Sequence, residues 1–369
     1  MTEPIRVAQI VGKMVGGGVE AVVMNYYRHI DRSKVQFDFL VDSDSTLVPR
    51  EEIESLGGRI FEIPPYQHAI EYQRELQSLF TQEGWKIVHS HINALSVFPL
   101  RAAKKAGVPV RIAHSHSTSG KGEFAKNALK GFSKLFSTRY PTDLAACTEY
   151  AGKWLFGSSH FTVFNNAIDL SSFSFNRSIR DEQRAGLGAQ DDTLVLGNIG
   201  RFIPQKNQLF LLDVFKAVYA QNPDSILVIC GDGKLRPQAE EKARSLGIAS
   251  AVRFLGQISN VQDVYQALDL FVLPSLYEGL GMVAIEAQVS GLPCICSERV
   301  PNEVALSGRC SFVPLSAGIE GWSNAILTTR TDVVNRSDPQ ASLGLESYDI
   351  FRAAPKLEEY YLKLFETVN

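Results

Sequence analysis

Asp269-Leu-Phe-Val-Leu-Pro-Ser-Leu-Tyr-Glu278-Gly-Leu-Gly-Met-Val-Ala-Ile-Glu286 reads as a strand, a turn and a helix in succession. The apolar run to Pro274-Ser275 suits a buried strand, and Met282 onward is helix-compatible. Between them Gly279 and Gly281 leave room for backbone N–H groups to approach an anion, and Glu278 stands where a ligand would be met. Glu286 follows further along the helix, eight positions after the first carboxylate.

Around this stretch the chain alternates strand-like and helix-like segments. Thr193–Gly197, Ser225–Cys230, Val252–Phe254, Leu270–Leu273, Cys294–Cys296 and a short Phe312-Val313 read as strands. Helices over 207–220, 237–246 and 261–268 separate them, which is the rhythm of a doubly wound parallel sheet. Gly200-Arg201 and Lys206 lie just after the first of these strands; Arg offers a planar fork and Lys a mobile point charge, a pattern suited to a polyanion. The bland alternative is a solvated pair. Gly231-Asp-Gly233 ends the second strand.

The first half repeats the pattern. Ile5–Val11 reads as a buried strand running into Gly16-Gly17-Gly18-Val-Glu20 and a helix over about 20–30. The glycines form either a donor-rich loop over a phosphate or sugar, or a plain tight turn; the Gly-x-Gly-x-x-Gly spacing is absent. Strands are expected at Phe37–Val41, Arg59–Ile63, Ile87–His91, Val110–Ala113 and Phe161–Phe164, with helices over 49–56, 69–83, 94–106 and 143–157. His89-Ser-His91 and His114-Ser-His116 both fall at strand ends, where ligands of such sheets bind. His116, entering a polar loop, is the better functional candidate, a neutral imidazole able to donate to a sugar oxygen. No carboxylate or cysteine set completes a zinc site around them, and no metal is expected.

At 369 residues the chain exceeds a comfortable single core, so two domains are expected. The boundaries read as 1–170, an interdomain connection over 171–192, a second domain over 193–345 with a mobile loop in the polar stretch 321–345, and 346–369 as an amphipathic helix returning to the first domain. Net charge of −3 argues against a dedicated nucleic-acid binder. The five cysteines form no ligand or redox pattern, which fits a reducing cytoplasm. The opening MTEPIRVAQIVG lacks the features of a signal peptide.

Taken in order, these motifs resemble the retaining glycosyltransferases of the GT-B fold in family four, the glycosyl transferases group 1 domain. The resemblance covers nearly the whole chain and is strongest over 193–305, where Glu278 and Glu286 form the family's paired-glutamate element. It implies an α/β fold of two Rossmann-like doubly wound domains facing across a cleft. It implies that Arg201 and Lys206 grip a donor diphosphate and that Glu286 holds the ribose. Glu278 would stand beside the donor sugar, with the backbone of Gly279, Leu280, Gly281, Met282 and Val283 on sugar and phosphate and Gly231 in the nucleotide-binding set. Gly16, Gly17 and Gly18 would close over the diphosphate, and His116 would contact the transferred sugar. Asn165-Asn-Ala-Ile-Asp169 is similar to the family's linker entry, with Asn166 in place of a glycine in a left-handed conformation. No cofactor is implied.

The expected activity is transfer of a sugar from a nucleotide diphosphate, UDP by family tendency, to a saccharide or polyprenyl-diphosphate-linked saccharide in surface polysaccharide biosynthesis. The same-fold rivals are a UDP-sugar epimerase and a non-catalytic sugar-nucleotide-binding protein. Over 121–139, Lys126, Lys130, Lys134 and Arg139 alternate with Phe124, Leu129, Phe132, Leu135 and Phe136. As a helix this is either a solvated basic face or a contact with an anionic membrane surface, which would make a cytoplasmic protein peripheral to the inner face of the membrane. Replacing Lys126, Lys130 and Lys134 by Glu is expected to weaken co-sedimentation with anionic liposomes; unchanged binding would remove the membrane contact.

Overall fold

In a computed structural model of the protein, residues 3–116, 133–329, 336 and 344–368 are described. Most of the 121–139 segment therefore lies outside the described residues. The chain divides into two compact units, Met1–Asp169 with Ser347–Asn369, and Leu170–Glu346.

The first unit runs β1 (Ile5–Gly12), α1 (Gly18–His29), β2 (Val35–Asp42), α2 (Arg50–Ser55), β3 (Arg59–Ile63), α3 (Ala69–Glu83), β4 (Ile87–Ser90), α4 (Val97–Lys105), β5 (Val110–Ser115), β6 (Asp143–Ala146), α5 (Glu149–Phe156) and β7 (Thr162–Val163). Its strands lie in the order β3-β2-β1-β4-β5-β6-β7, all parallel. Buried on both faces, the central strands need near-continuous apolar sequence. β2, VQFDFLVD, is buried at every position. Its mid-strand carboxylate, Asp38, is tied by Arg6, Arg59 and the Trp85 indole N–H.

The second unit runs α6 (Leu170–Phe173), α7 (Arg177–Leu187), β8 (Leu194–Ile199), α8 (Gln208–Gln221), β9 (Ser225–Cys230), α9 (Arg236–Ser245), β10 (Val252–Gly256), α10 (Val261–Ala267), β11 (Leu270–Leu273), α11 (Met282–Val289), β12 (Cys294–Ser297), β13 (Cys310–Val313) and α12 (Gly318–Thr328). Its parallel sheet has the order β10-β9-β8-β11-β12-β13. In each sheet the strand order reverses once, between β1 and β4 and between β8 and β11. Helix α13 (Ile350–Glu366) belongs to the first unit and buries Ile350, Ala353, Ala354, Leu357 and Tyr361, one helical stripe, among the residues of β1, β2 and α1.

One expectation is corrected. Residues 143–146, expected to begin a helix, form β6, because pairing with β5 and β7 outweighs the helix propensity of Leu144-Ala-Ala146. The stretch 171–192, expected as the interdomain connection with a helix-like 178–187, contains α7 over that helix-like part with α6 before it, and groups with the second unit. Helix α12 buries Trp322 and Ile326 in the second core, and most of the polar stretch beyond it to 345, where a mobile loop is expected, lies outside the described residues.

α7 is held by charge as well as packing. Buried Asp269, just before β11, accepts from Arg180, from Arg184 Nη1 at 3.0 Å and from the Val195 backbone N–H at 2.8 Å. Removing one member of such a set strands the others unpaired in a desolvated place. Asp269→Ala is expected to cost about 3–5 kcal/mol in urea unfolding; a loss under about 1 kcal/mol would mean the ion set contributes no more than a surface pair.

Candidate functional site

The site-bearing loops of the second unit leave the carboxyl ends of β8 and β11, at the reversal of strand order where doubly wound sheets take ligands. After β8 the chain passes Gly200-Arg201-Phe202 and a short turn over Pro204–Lys206 before α8. The loop after β9 supports it. Phe202 N–H donates to Asp232 O at 2.9 Å, and Leu235 N–H to Phe202 O at 3.1 Å. A Cβ on Gly231 would stand 2.2 Å from Gly200 O, and its φ is +124°. Only glycine permits this approach. Gly231 therefore acts here by letting two loops touch.

Glu278 is the centre of the polar contacts. It is 8% exposed. Its Oε1 accepts from Lys206 Nζ at 2.7 Å and Ser275 Oγ at 2.6 Å, and its Oε2 from Gln205 Nε2 at 3.3 Å. Further bonds lace the same loops, Leu276 N–H to Gln205 O at 2.8 Å and Asn207 Nδ2 to Pro274 O at 3.1 Å. Lys206 and Glu278, expected at separate stations along a ligand, are thus a direct pair. Arg201, earlier in the loop that carries Lys206, is exposed. The turn closes on buried Leu280 and on Gly281, at φ +93°, the residue before the first turn of α11 with Met282 and Val283. Gly279 precedes them in the same turn.

Glu286, on α11, accepts from Tyr265 OH at 2.7 Å. Its desolvated surroundings raise the carboxyl above the usual range, against the opposing Tyr265 hydrogen bond and the Lys206 charge. Gln205, Ser275 and Tyr265 were not singled out in the sequence. Ser275 was visible next to the turn, but nothing in α10 distinguished Tyr265 from core.

In the first unit, the Gly16-Gly17-Gly18 loop does form a cradle of N–H groups, and one of its own carboxylates occupies it. Glu20 Oε2 accepts from the backbone N–H of Val15 at 3.0 Å, Gly16 at 2.7 Å and Gly17 at 2.9 Å. The carboxylate caps α1 and satisfies donors that the helix cannot.

The histidine pairs converge. His89, His91, His114 and His116 are all buried. His89 Nε2 lies 3.0 Å from His114 Nδ1, and His91 Nδ1 lies 2.8 Å from His116 Nε2. His116, expected at a polar loop mouth, is buried because β5 extends to Ser115 and keeps the next residue against the sheet. Its backbone N–H donates to Asn93 Oδ1 at 2.6 Å, and its Nδ1 stands 3.3 Å from the Asn166 side chain. Asn166 is not left-handed; among the described residues only Asn93 and Asn207 are non-glycine residues at positive φ. Its side chain, not its backbone, is what the position uses.

Burial holds these imidazoles neutral. Desolvation lowers His116 to about 4 and carries His89, His91 and His114 well below the ordinary value. Unfolded histidines protonate near pH ~6.5, so the unfolded chain binds more protons below that pH and stability falls on acidification. Asp42, raised to about 6 by burial and by Asp44, and Glu286, also raised, oppose this in part. Urea unfolding between about pH 7 and pH 5 is therefore expected to show a falling free energy, with a net uptake of fewer than the ~4 protons the histidines alone would bind. A flat or rising profile would show that the imidazoles are not held neutral.

Two family descriptions match, "Glycosyl transferases group 1" over residues 179–306 and "Glycosyl transferase 4-like domain" over residues 17–148. The chain is 39% identical over 333 residues to the putative glycosyltransferase EpsF of Bacillus subtilis (strain 168), covering 87% of this chain and 86% of that protein. It is 26% identical over 325 residues to the UDP-Gal:alpha-D-GlcNAc-diphosphoundecaprenol alpha-1,3-galactosyltransferase of Escherichia coli, covering 83% and 84%. Among solved structures, Anabaena HepE in complex with UDP-glucose superposes with a TM-score of 0.77 at 17% identity, covering 97% of this chain and 100% of that one. Sucrose-phosphate synthase of Thermosynechococcus elongatus gives 0.79 at 17% identity, covering 98% and 100%. The parallel sheets, the paired glutamates and these matches agree: the chain belongs to the glycosyl transferases group 1 family, with the GT-B fold, and is related to enzymes of bacterial capsule and exopolysaccharide biosynthesis.

Proposed function

We propose that the protein transfers a sugar, with retention of anomeric configuration, from a uridine diphosphate sugar to a saccharide or polyprenyl-diphosphate-linked saccharide. The observation that carries the reading is the Lys206–Glu278 pair at the carboxyl ends of β8 and β11, with exposed Arg201 on the same loop as Lys206. A lysine ammonium has three donors, and Glu278 takes one. The others remain for an anion, with the Arg201 fork on the same loop. The relatives support the donor and acceptor classes, since the Escherichia coli relative is a galactosyltransferase from UDP-Gal to a GlcNAc-diphosphoundecaprenol and HepE was solved with UDP-glucose.

In this reading the bond between the anomeric carbon and the β-phosphate oxygen breaks, and its electron pair goes to the phosphate. The acceptor hydroxyl forms the new bond on the same face and passes its proton to the leaving phosphate. Negative charge on that phosphate grows as the reaction proceeds, so fixed cations stabilise the transition state more than the bound donor. Glu278, held by Ser275, Gln205 and Lys206, keeps the lysine in place and orients sugar hydroxyls. Glu286, steadied by Tyr265, accepts from the ribose. The backbone from Gly279 to Val283, at the amino end of α11, faces sugar and phosphate. His116 contacts the transferred sugar, and the Gly16–Gly18 loop meets the diphosphate only if Glu20 releases its N–H groups.

Among the described residues no helix is long and apolar enough to cross a membrane. Contact with an anionic membrane surface, where a lipid-linked acceptor would lie, is proposed for the 121–139 segment.

The test is a screen of nucleotide sugars with purified protein and short lipid-diphosphate acceptors, read by product mass and anomeric linkage. A retained linkage formed from a UDP-sugar only when acceptor is present is expected; epimerised donor without acceptor would replace the reading. In the same assay Arg201→Ala and Lys206→Ala are each expected to lower kcat on the order of 10²-fold. Parental turnover in either would remove the diphosphate-clamp role.

A further inference from the structure

The four buried histidines do not end with one another. Gln9 on β1 places its Oε1 2.8 Å from His91 Nε2 and its Nε2 3.0 Å from Tyr361 OH. Tyr361, on α13, lies 2.6 Å from His89 Nδ1. The contacts therefore form one unbranched path: Asn166, His116, His91, Gln9, Tyr361, His89, His114. The last atom, His114 Nε2, is buried without a partner among the described residues, and the histidines line a cavity of about 10 Å³.

A metal centre is the first alternative, since one nitrogen each of His89, His91 and His114 lie within 4.8 Å of one another. The ring geometry opposes it. The His89 and His114 rings are within 9° of parallel with nitrogens 3.0 Å apart, a hydrogen-bonded pair in which the two nitrogens face each other. A tetrahedral zinc would set its nitrogens about 3.4 Å apart, all aimed at one point. The second pair, His91 and His116, stacks on the first, with His89–His91 and His114–His116 centroids at 4.2 and 4.0 Å. These are two stacked N–H···N hydrogen bonds, the His91 ring tilted by 32–38° to the other three.

Each neutral imidazole has one donor and one acceptor nitrogen, so the path admits only two complete arrangements, with all donors running one way or the other. The Gln9 amide selects between them. Its NH₂ donates to Tyr361, whose O–H must then donate to His89 Nδ1. His89 Nε2–H donates to His114 Nδ1, leaving the proton of His114 on Nε2. On the other side Gln9 Oε1 accepts from His91 Nε2–H, and His91 Nδ1 accepts from His116 Nε2–H. His116 Nδ1 is left as an acceptor 3.3 Å from Asn166 Oδ1, and only a half-turn of that amide would bring its NH₂ end to donate there.

We infer that this path is a one-way hydrogen-bond chain that holds all four histidines as Nε2–H tautomers, with Gln9 and Tyr361 as positioning residues that present His116 Nδ1 as an acceptor. On the transferase reading, the partner of that acceptor is a hydroxyl of the transferred sugar. The tautomers themselves do not depend on that reading.

The experiment is long-range ¹H–¹⁵N correlation on histidine-labelled protein, with resonances assigned by single His→Gln variants. Four Nε2–H imidazoles are expected at these positions, and one Nδ1–H among them would overturn the direction of the chain. In Tyr361→Phe, which keeps the ring in the core, the Gln9 amide loses its acceptor and is free to turn. A second, Nδ1–H form is then expected at His91 and His116, with the dispersion of the amide spectrum confirming a native fold. An unchanged single form at His116 in that variant would overturn the positioning role of Tyr361. In the sugar-transfer assay the variant is expected to lose several-fold in kcat at unchanged donor KM. Intact tautomers in a protein that transfers no sugar would defeat the transferase reading and leave the chain standing.

Discussion

Parallel strands cannot be joined by a tight turn, and most of what this protein presents to a ligand follows from that constraint. Each strand is followed by a crossover element, so the segments that leave the sheet collect at one end. Where the strand order reverses, neighbouring segments turn opposite ways and leave a crevice. In the second unit that is the point between β8 and β11, where Arg201, Lys206 and Glu278 are found. In the first unit it is the point between β1 and β4, where Gln9, His89 and His91 are found. Neither set is contiguous in sequence. Each is assembled by the winding.

Both sets show polar groups kept inside apolar layers by satisfying one another. Glu278 remains buried because a hydroxyl, an ammonium and an amide all donate to it. The histidines remain buried because each is neutral and almost every ring nitrogen has a partner. Buried polar groups left unpaired are costly, so such networks specify one arrangement of side chains more sharply than apolar packing does. Glu20 obeys the same rule when it fills the glycine cradle ahead of α1.

Much of the fold was legible because its signals are local. Period and length marked the parallel strands, and glycines marked the strand ends. α3 lies where the apolar spacing put it, over 69–83. The misreading came where local preference lost to pairing: Asp143–Ala146, expected to begin a helix, is a strand. Gln9 was a readable hint, a lone polar side chain in the apolar run of β1, but its partners were not.

The sequence by itself determined the parallel α/β character, the family, and the residue types brought to the strand ends: two glutamates, an arginine, a lysine and paired histidines. These depend on composition and spacing along a few turns or strands. The tertiary structure alone decided which of them meet. Lys206 and Glu278 lie on loops after different strands, and His89, Gln9 and Tyr361 come from β4, β1 and the helix at the far end of the chain. Such contacts are set by strand order and register, through hydrogen bonds too short-ranged to leave any period in the sequence.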